Sequence, residues 1–348
     1  MTRFFAFALA IVLAVPAHAQ DDALTPLIRD LGASEFATRE RASAVLALVG
    51  EAARAALVAA TRSPDAESAA RARALLAALD RRTRHPRSAL PPVGEAALAA
   101  LAATNVPLVA LDFADRSGSM LAAMPAIGVH GRALGALSFA RCDGVDDRVL
   151  DRARELGCLA ELDLTGCTEV TDVGIAALGS CATLRRLVVS GCSRVSAPAL
   201  AAFRRAVPAC EVVRTHPRAL ALYWVKADAV RVEGTALDAL ELEDEPFIAG
   251  EHIAKADPTG ALALTDAGWK RLPERVGVHG KPFVVAAYDR VVVLAAFWTL
   301  VSSQRSELPV LFVEQLERPA LPLFGPPHGL GVTHALVRAA FAELSGRE

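Results

Sequence analysis

A period of 25 residues constrains the middle of this chain more than any other feature. Aligned from Leu134, Leu159 and Leu184, the segments LGALSFARCDGV, LAELDLTGCTEV and LRRLVVSGCSRV carry matching residues at matching phases. Leu137, Leu162 and Leu187 coincide, then Phe139, Leu164 and Val189, then Cys142, Cys167 and Cys192, then Val145, Val170 and Val195. A repeat of this length marks a stack of supersecondary units, each burying its apolar face only against its neighbours. Each unit is expected to run as a short strand, a turn and a helical return, with three apolar strand positions pointing into the stack. One step upstream, LVALDF (108–113) matches the strand half at 26 residues, with Arg116 at the Cys phase. One step downstream, ACEVV (209–213) reads as a last strand, with Val212 at the phase of Leu187. GEAALAALAAT (94–104) reads as a helix covering the first strand, so about five strands are expected.

All six cysteines lie between 142 and 210. One Cys per repeat at constant phase is not a disulfide framework. With no C-x-x-C and no His within a few residues, it is not a zinc site either. Cys142, Cys167 and Cys192 are expected to be structural: reduced, buried at the turn after each strand and stacked in one row, because a small weakly polar side chain fits there. Cys158, Cys181 and Cys210 fall off this ladder near helix ends. For them a Cys158–Cys181 bridge and free buried thiols both remain open.

The pattern L-x-x-L-x-L-x-x-C-x-x-V resembles the cysteine-containing leucine-rich repeat. VTDVGIAAL (170–178) resembles the variable half of such repeats, where Thr171 or Asp172 would cap a short helix. The resemblance implies a short α/β solenoid over 94–214 that exposes one row of strand residues on a concave face. The polar members of that row are Asp112, Ser138, Glu161, Asp163, Thr165, Arg186 and Ser190. They are the expected contacts for a protein or peptide partner. The row is small and weakly polar at its first end and charged at the other.

Residues 20–80 carry apolar residues at helical spacing in LTPLIRDLG, TRERASAVLALVG, AARAALVAAT and SAARARALLAAL. The segments beginning at Ser34 and Ser63 are two copies of a turn, an Arg-bearing helix and an apolar end, and they resemble a pair of HEAT-like helical repeats. Residues 81–93, DRRTRHPRSALPPVG with its flanks, are basic and Pro-containing and read as a linker. The helical pair is therefore expected to touch little of the rest and to move freely.

From residue 217 onward Val, Phe and Trp become more frequent. LYWVKADAVRVEG reads as strands, Thr265 or Asp266 as the cap of a helix over 266–275, and Tyr288-Asp289-Arg290 as a tight connection between Val-rich strands. ELPVLFVEQL (307–316) adds a strand, and GVTHALVRAAFAELSG (331–346) a closing helix. Pro246, Ile248, Gly250 and Ile253, then Leu264, Thr265, Asp266 and Gly268, then Gly280, Lys281 and Asp289 resemble the head subdomain of SecD-type export subunits. The resemblance implies an α+β domain over 217–348 and a habit of binding peptide or protein. The chain has Ala296 where that family has a Pro, and the flanking membrane helices of the family are missing. The fold class expected for the whole is α+β multidomain: an α-helical repeat pair, a short α/β solenoid and a C-terminal α+β domain.

Residues 1–19 read as a secretory signal, with Arg3, an apolar run from Phe4 to Val15, and Ala17-His18-Ala19 as the cleavage pattern. The apolar stretch 283–301 is split by Asp289 and Arg290 and reads as strands, so no membrane span is expected after cleavage and the mature protein is expected to be periplasmic or extracellular. A net charge of −2 gives no pull toward nucleic acid. No phosphate-binding, dinucleotide-binding, zinc-protease or nucleophile-elbow motif occurs. His residues are scattered singly, and CDGVDD (142–147) loses its likeness to a calcium loop once aligned with CTEVTD and CSRVSA. Neither a cofactor nor a metal is expected. These features favour a non-enzymatic exported binding or scaffold module. Two alternatives are an accessory factor in protein export or envelope assembly, and a hydrolase-like enzyme whose site would draw on His279, Lys281, Asp289 and Arg290 in the C-terminal domain.

Overall fold

The computed structural model describes residues 17–84, 90, 92–227, 229–257, 260–302, 306–316, 318, 320–323 and 334–345. The chain is mixed α+β and divides into two compact units, one of residues 1–84 with 90–213 and the other of residues 85–89 with 214–348. Residues 1–16 of the stretch expected to be a secretory signal lie outside the described residues, and its last three begin the first helix.

The first unit opens with helices α1 (Ala17–Asp30), α2 (Phe36–Val49), α3 (Arg54–Ala60), α4 (Ala66–Arg84) and α5 (Glu95–Ala102). Strand and helix then alternate: β1 (Ala110–Asp112), α6 (Met124–Gly128), β2 (Ala136–Ser138), α7 (Asp147–Ala153), β3 (Glu161–Asp163), α8 (Asp172–Ala177), β4 (Arg186–Val188), α9 (Ala197–Ala206) and β5 (Glu211–Val213). The strands form one parallel sheet in sequence order, β1-β2-β3-β4-β5. The register follows the sequence period: Leu111, Leu137, Leu162, Leu187 and Val212 are successive partners. Alternation along each strand turns this column to one side, where the four leucines are almost wholly buried, and turns its neighbours to the other.

Each Cys of the ladder closes a bond to the repeat before it. The Sγ of Cys142 donates to Phe113 O at 3.0 Å, that of Cys167 to Phe139 O at 3.1 Å and that of Cys192 to Leu164 O at 3.1 Å. Burial pushes the Cys142 thiol up to about 12 and also raises those of Cys167 and Cys192. All six cysteines are free thiols; Cys158 is exposed, and Cys181 is buried.

The residue before each ladder position lies in the left-handed region: Asp115 (φ 68°), Arg141 (φ 60°), Gly166 (φ 71°) and Gly191 (φ 74°). Glycine adopts this freely, whereas another L-residue loses about 1–2 kcal/mol. In the first two repeats that loss is offset by a buried ion pair. Arg141 donates to Asp115 through Nε at 2.6 Å and a terminal nitrogen at 3.0 Å.

A second link runs through the helix starts. Asp146, Thr171 and Ser196 cap α7, α8 and α9, accepting from backbone N–H groups of the first turn. Thr171, not Asp172, is the cap of α8. Asp147 and Asp172 reach instead into the next repeat. Asp147 accepts from Thr171 N at 2.8 Å and Oγ1 at 2.6 Å. Asp172 accepts from Ser196 N and Oγ, both at 2.7 Å, and these bonds hold its carboxyl below its ordinary range.

The N-terminal helices are not set apart, contrary to the expectation from the sequence. Leu24, Leu31, Val45, Leu46, Val49 and Leu57 belong to the same continuous core as the strand leucines. A β-carbon on Gly50 would stand 3.0 Å from Asp112 Cβ, so the turn after α2 lies directly on β1. The stretch Phe36–Ala60 is long and apolar enough to cross a membrane, yet much of its apolar side is buried in this core. Arg54 ties α3 to Asp80 of α4 at 2.8 Å and to Glu51. The basic stretch expected to be linker contributes its first residues to α4, and its Leu90 bridges to Arg116, with Leu90 N donating to Asp115 O at 2.8 Å.

The second unit contains β6 (Leu220–Trp224), α10 (Ala229–Val232), β7 (Ile253–Ala256), β8 (Leu262–Leu264), α11 (Asp266–Trp269), β9 (Lys281–Ala287), β10 (Arg290–Trp298), β11 (Val310–Phe312), β12 (Ala320–Leu321) and α12 (Ala335–Ser345). Its sheets are ordered β11-β10-β9-β6 and β12-β8-β7. Phe247, Phe283, Phe297, Leu336, Val337 and Phe341 share its main core. Two expectations are corrected. AVRV (229–232) is a helical turn rather than strand, and α11 ends at Trp269, shortly before Pro273. Thr265 caps α11, accepting from Gly268 N at 3.2 Å. The closing helix begins after 331–333, which lie outside the described residues together with most of the Pro-rich loop before it.

Thiol labelling of the folded chain should spare Cys142, Cys167 and Cys192 and reach all three after denaturation. Because burial raises these thiols above the ordinary 9.0, the unfolded chain loses their protons first as pH rises. Folding stability should therefore fall from about pH 9 upward, and replacing Cys167 by Ala should flatten that fall. Arg141→Ala, which takes the two-bonded guanidinium away from the buried Asp115 carboxylate, should lower unfolding free energy by about 3–5 kcal/mol. The double change Asp115→Gly with Arg141→Gly, which reproduces the later repeats, should lose clearly less; an additive loss in denaturant melts contradicts the compensation.

Candidate functional site

Opposite the leucine column, the alternate strand positions form three rows. The first holds Ala110, Ala136, Glu161, Arg186 and Glu211; the second Asp112, Ser138, Asp163, Val188 and Val213. The third continues two residues beyond the second, through Ala114, Ala140, Thr165 and Ser190. It stays in register because Asp115, Arg141 and Gly166 donate to the carbonyls of Ala140, Thr165 and Ser190.

The rows are unequal. Ala110, Ala114, Ala136, Ser138 and Ala140 are buried, and Asp112 lies against Gly50. Of the seven polar residues expected on this face, Ser138, Thr165 and Ser190 are therefore buried, while Asp112, Glu161, Asp163 and Arg186 are half-buried. The accessible part is the stretch over β3, β4 and β5. Glu211 and Val213 extend it, and the row read from the sequence stopped one strand short of them. The signal was present: ACEVV places Glu211 at the phase of Arg186 and Glu161.

Charge on this stretch is one-sided. Arg186 pairs with Glu211 at 2.5 Å, and Glu211 remains largely exposed. Glu161 takes no hydrogen bond from the described residues. Burial is the main cause that raises its carboxyl above the ordinary range; Arg186 opposes the shift and Glu211 adds to it. Asp163 turns one oxygen back to its own loop, accepting from Thr165 N at 2.8 Å and Thr165 Oγ1 at 2.6 Å. Its other oxygen takes no bond from the described residues. Ser190, at the position of Thr165, has Val188 two residues before it where Thr165 has Asp163. Its hydroxyl is thus left buried without a partner among the described residues.

The residues considered for a hydrolase-like site do not converge. Asp289 and Arg290 sit at the turn between β9 and β10, while His279 and Lys281 sit at the far end of β9. A seven-residue strand separates the pairs by roughly 23 Å. Asp289 is held by Arg218 at 2.7 Å, with His216 Nε2 3.8 Å away. Tyr288 and Asp289 form a two-residue turn at φ 51° and 64°, and Tyr288 donates from its hydroxyl to Glu343 of α12 at 3.2 Å. Lys281 places its ammonium 3.9 Å over the ring of Trp224, which stacks on Phe247 at 3.8 Å. These partners fix the hairpin and the core edge. Among the described residues no group of three or more His, Cys, Asp or Glu is placed to hold a metal ion.

Glu161→Gln tests the electrostatics of the face. The folded-state carboxyl of Glu161 is raised above its ordinary 4.5, so folding is favoured where the group is protonated and loses that contribution as pH rises through the folded value. The variant should therefore melt higher than the parent at pH 7, and the two should converge below about pH 4.5. A lower melting temperature for the variant at pH 7 contradicts this.

No family model matches the chain.

Proposed function

We propose that the chain is a non-enzymatic, exported protein-binding or scaffold module that engages its partner through the strand-row face of a leucine-rich-repeat solenoid. The carrying observation is the accessible stretch formed by Glu161, Asp163, Arg186, Val188, Glu211 and Val213 on a sheet whose opposite side is the core. A parallel stack in strict register presents side chains from successive strands at a spacing of about 4.8 Å, which suits an extended surface contact. The cysteine ladder supports the repeat assignment. The paired helices at 22–80, in this reading HEAT-like, cover the apolar start of the stack. The order of Pro246, Gly250, the Thr265 cap, Gly280-Lys281 and the Asp289 hairpin supports a SecD-head-like second unit and, with the signal-like first nineteen residues, a periplasmic or extracellular setting.

A photo-crosslinking residue at Val188 should yield one defined protein adduct in the periplasm. The same residue at Val173, which is exposed on α8, should not. The partner, once identified and purified, should bind the parent chain and lose most of its affinity to Val188→Trp. Adducts at Val173 with none at Val188 contradict the reading.

A further inference from the structure

We propose that the second unit carries a membrane-docking tip, with Val278, Leu300 and Val301 entering the surface of a bilayer that contains anionic phospholipid. This tip is independent of the strand-row face.

It is built from two turns at one end of the four-stranded sheet. Gly280 N donates to Gly277 O at 2.9 Å, and Ser302 N donates to Thr299 O at 3.2 Å, so each closes a turn. The first turn leads into β9 and the second follows β10. Lys281 and Phe297 are partners across these two strands, so both turns lie at the same sheet end. Ser302 donates from its hydroxyl to Val278 O at 2.7 Å and ties one turn to the other. The central pairs are Val278-His279 and Leu300-Val301. Val278 is 50% exposed, Leu300 55% and Val301 82%.

Local chemistry does not account for these residues. Central turn positions favour Gly, Pro, Asn, Asp and Ser, and a branched apolar side chain adds nothing to the turn. Nor is the exposure that of a slack loop. Val276 packs against the core of the second unit. Gly280, at φ 67°, lies so close to Trp298 that a β-carbon would collide with the indole. The other large exposed apolar side chains among the described residues, Phe36, Val58, Val129 and Val173, lie apart in the sequence of the first unit, and single ones need no explanation.

Size and charge select the occupant. Three side chains on turn tips offer far less than the roughly 800 Å² per partner that a stable protein interface buries. A bilayer closes around such a tip and takes each apolar side chain out of water. Arg275, His279 and Lys281 are exposed close to Val278 in the chain, and residues 275–281 and 299–302 contain no acidic side chain. Glu274 is the nearest acid along the chain, and the acidic run 241–245 lies on the side of β6 away from β9. Cations beside an apolar tip meet lipid phosphates while their stems stay in the apolar layer. One weak signal gives only marginal attachment to a membrane, and an apolar anchor joined to basic charge gives a firmer one.

The test uses the chain from Gln20, which keeps every described core residue and lacks the apolar N-terminal stretch that could itself bind lipid. Co-sedimentation is measured with vesicles of phosphatidylcholine alone and of phosphatidylcholine with an equal part of phosphatidylglycerol. The parent should bind the mixed vesicles about tenfold more tightly than the neutral ones. Leu300→Ser with Val301→Ser should weaken that binding about tenfold. Melting temperature should not change, because both side chains are exposed. Arg275→Gln should weaken binding to mixed vesicles about fivefold and leave neutral vesicles unaffected. Insertion is read with an environment-sensitive fluorophore on Val301→Cys and, separately, on Val173→Cys of α8. Both are made with Cys158→Ser, which removes the exposed native thiol. The label at position 301 should blue-shift on mixed vesicles and the label at position 173 should not.

Vesicle binding that ignores the Leu300/Val301 change overturns the proposal, as does a blue shift at both positions or at neither. A parent that fails to sediment with mixed vesicles overturns it too. None of these results touches the strand-row function, which stands or falls on capture at Val188.

Discussion

The column Leu111–Leu137–Leu162–Leu187–Val212 is the constraint on which the first unit depends. Each strand is only three residues long and makes few backbone bonds, too few to persist alone. What holds a strand is the apolar column on one side and the bonds that each repeat closes to the repeat before it. Two such bonds recur, the Cys thiol to the strand-end carbonyl and the Asp carboxylate to the next helix cap. A thiol suits the first position because a larger side chain would part the strands, and because a weak donor satisfies a carbonyl that the turn would otherwise leave bare.

A stack held by nearest neighbours has two apolar ends. At the first, the N-terminal helices extend the same core over β1, and Gly50 permits the approach to Asp112 that a β-carbon would crowd. The left-handed residues show the same adjustment between local cost and neighbour contact. Gly166 and Gly191 need no help, whereas Asp115 and Arg141 adopt that conformation while pairing with one another. The charged part of the strand row lies toward the other end, over β3, β4 and β5, because small residues and Gly50 fill the first end.

Much of this was legible in the sequence. Strand register, the five strands and the burial of the three ladder cysteines follow from phases at which residue type repeats. The hairpin at Tyr288-Asp289 and the Thr265 cap follow from local turn and cap chemistry. Other features were not. Periodicity in 22–80 shows that each helix has an apolar side but not what covers it, so the helices looked independent. Asp172 looked like a cap because Asp is a common cap; its bonds, like those of Asp147, cross 24 residues, beyond any local rule. The αL position at Asp115 and Arg141 was hidden because no glycine marks it. At the candidate face, identity alone could not separate half-buried Glu161 and Asp163 from buried Ser138 and Thr165, nor show that Ser190 had lost the partner of its counterpart.

The central claim is that the N-terminal helices and the strand stack are one cooperative body built on one core. Native-state hydrogen exchange read by mass spectrometry under mild denaturant tests this directly. Backbone amides of α2, α3 and β1 to β4 should open together, with the same free energy and the same denaturant dependence. Exchange of α2 and α3 at a distinctly lower free energy, with the strands still protected, would show the helices to be an independent appendage and contradict the account.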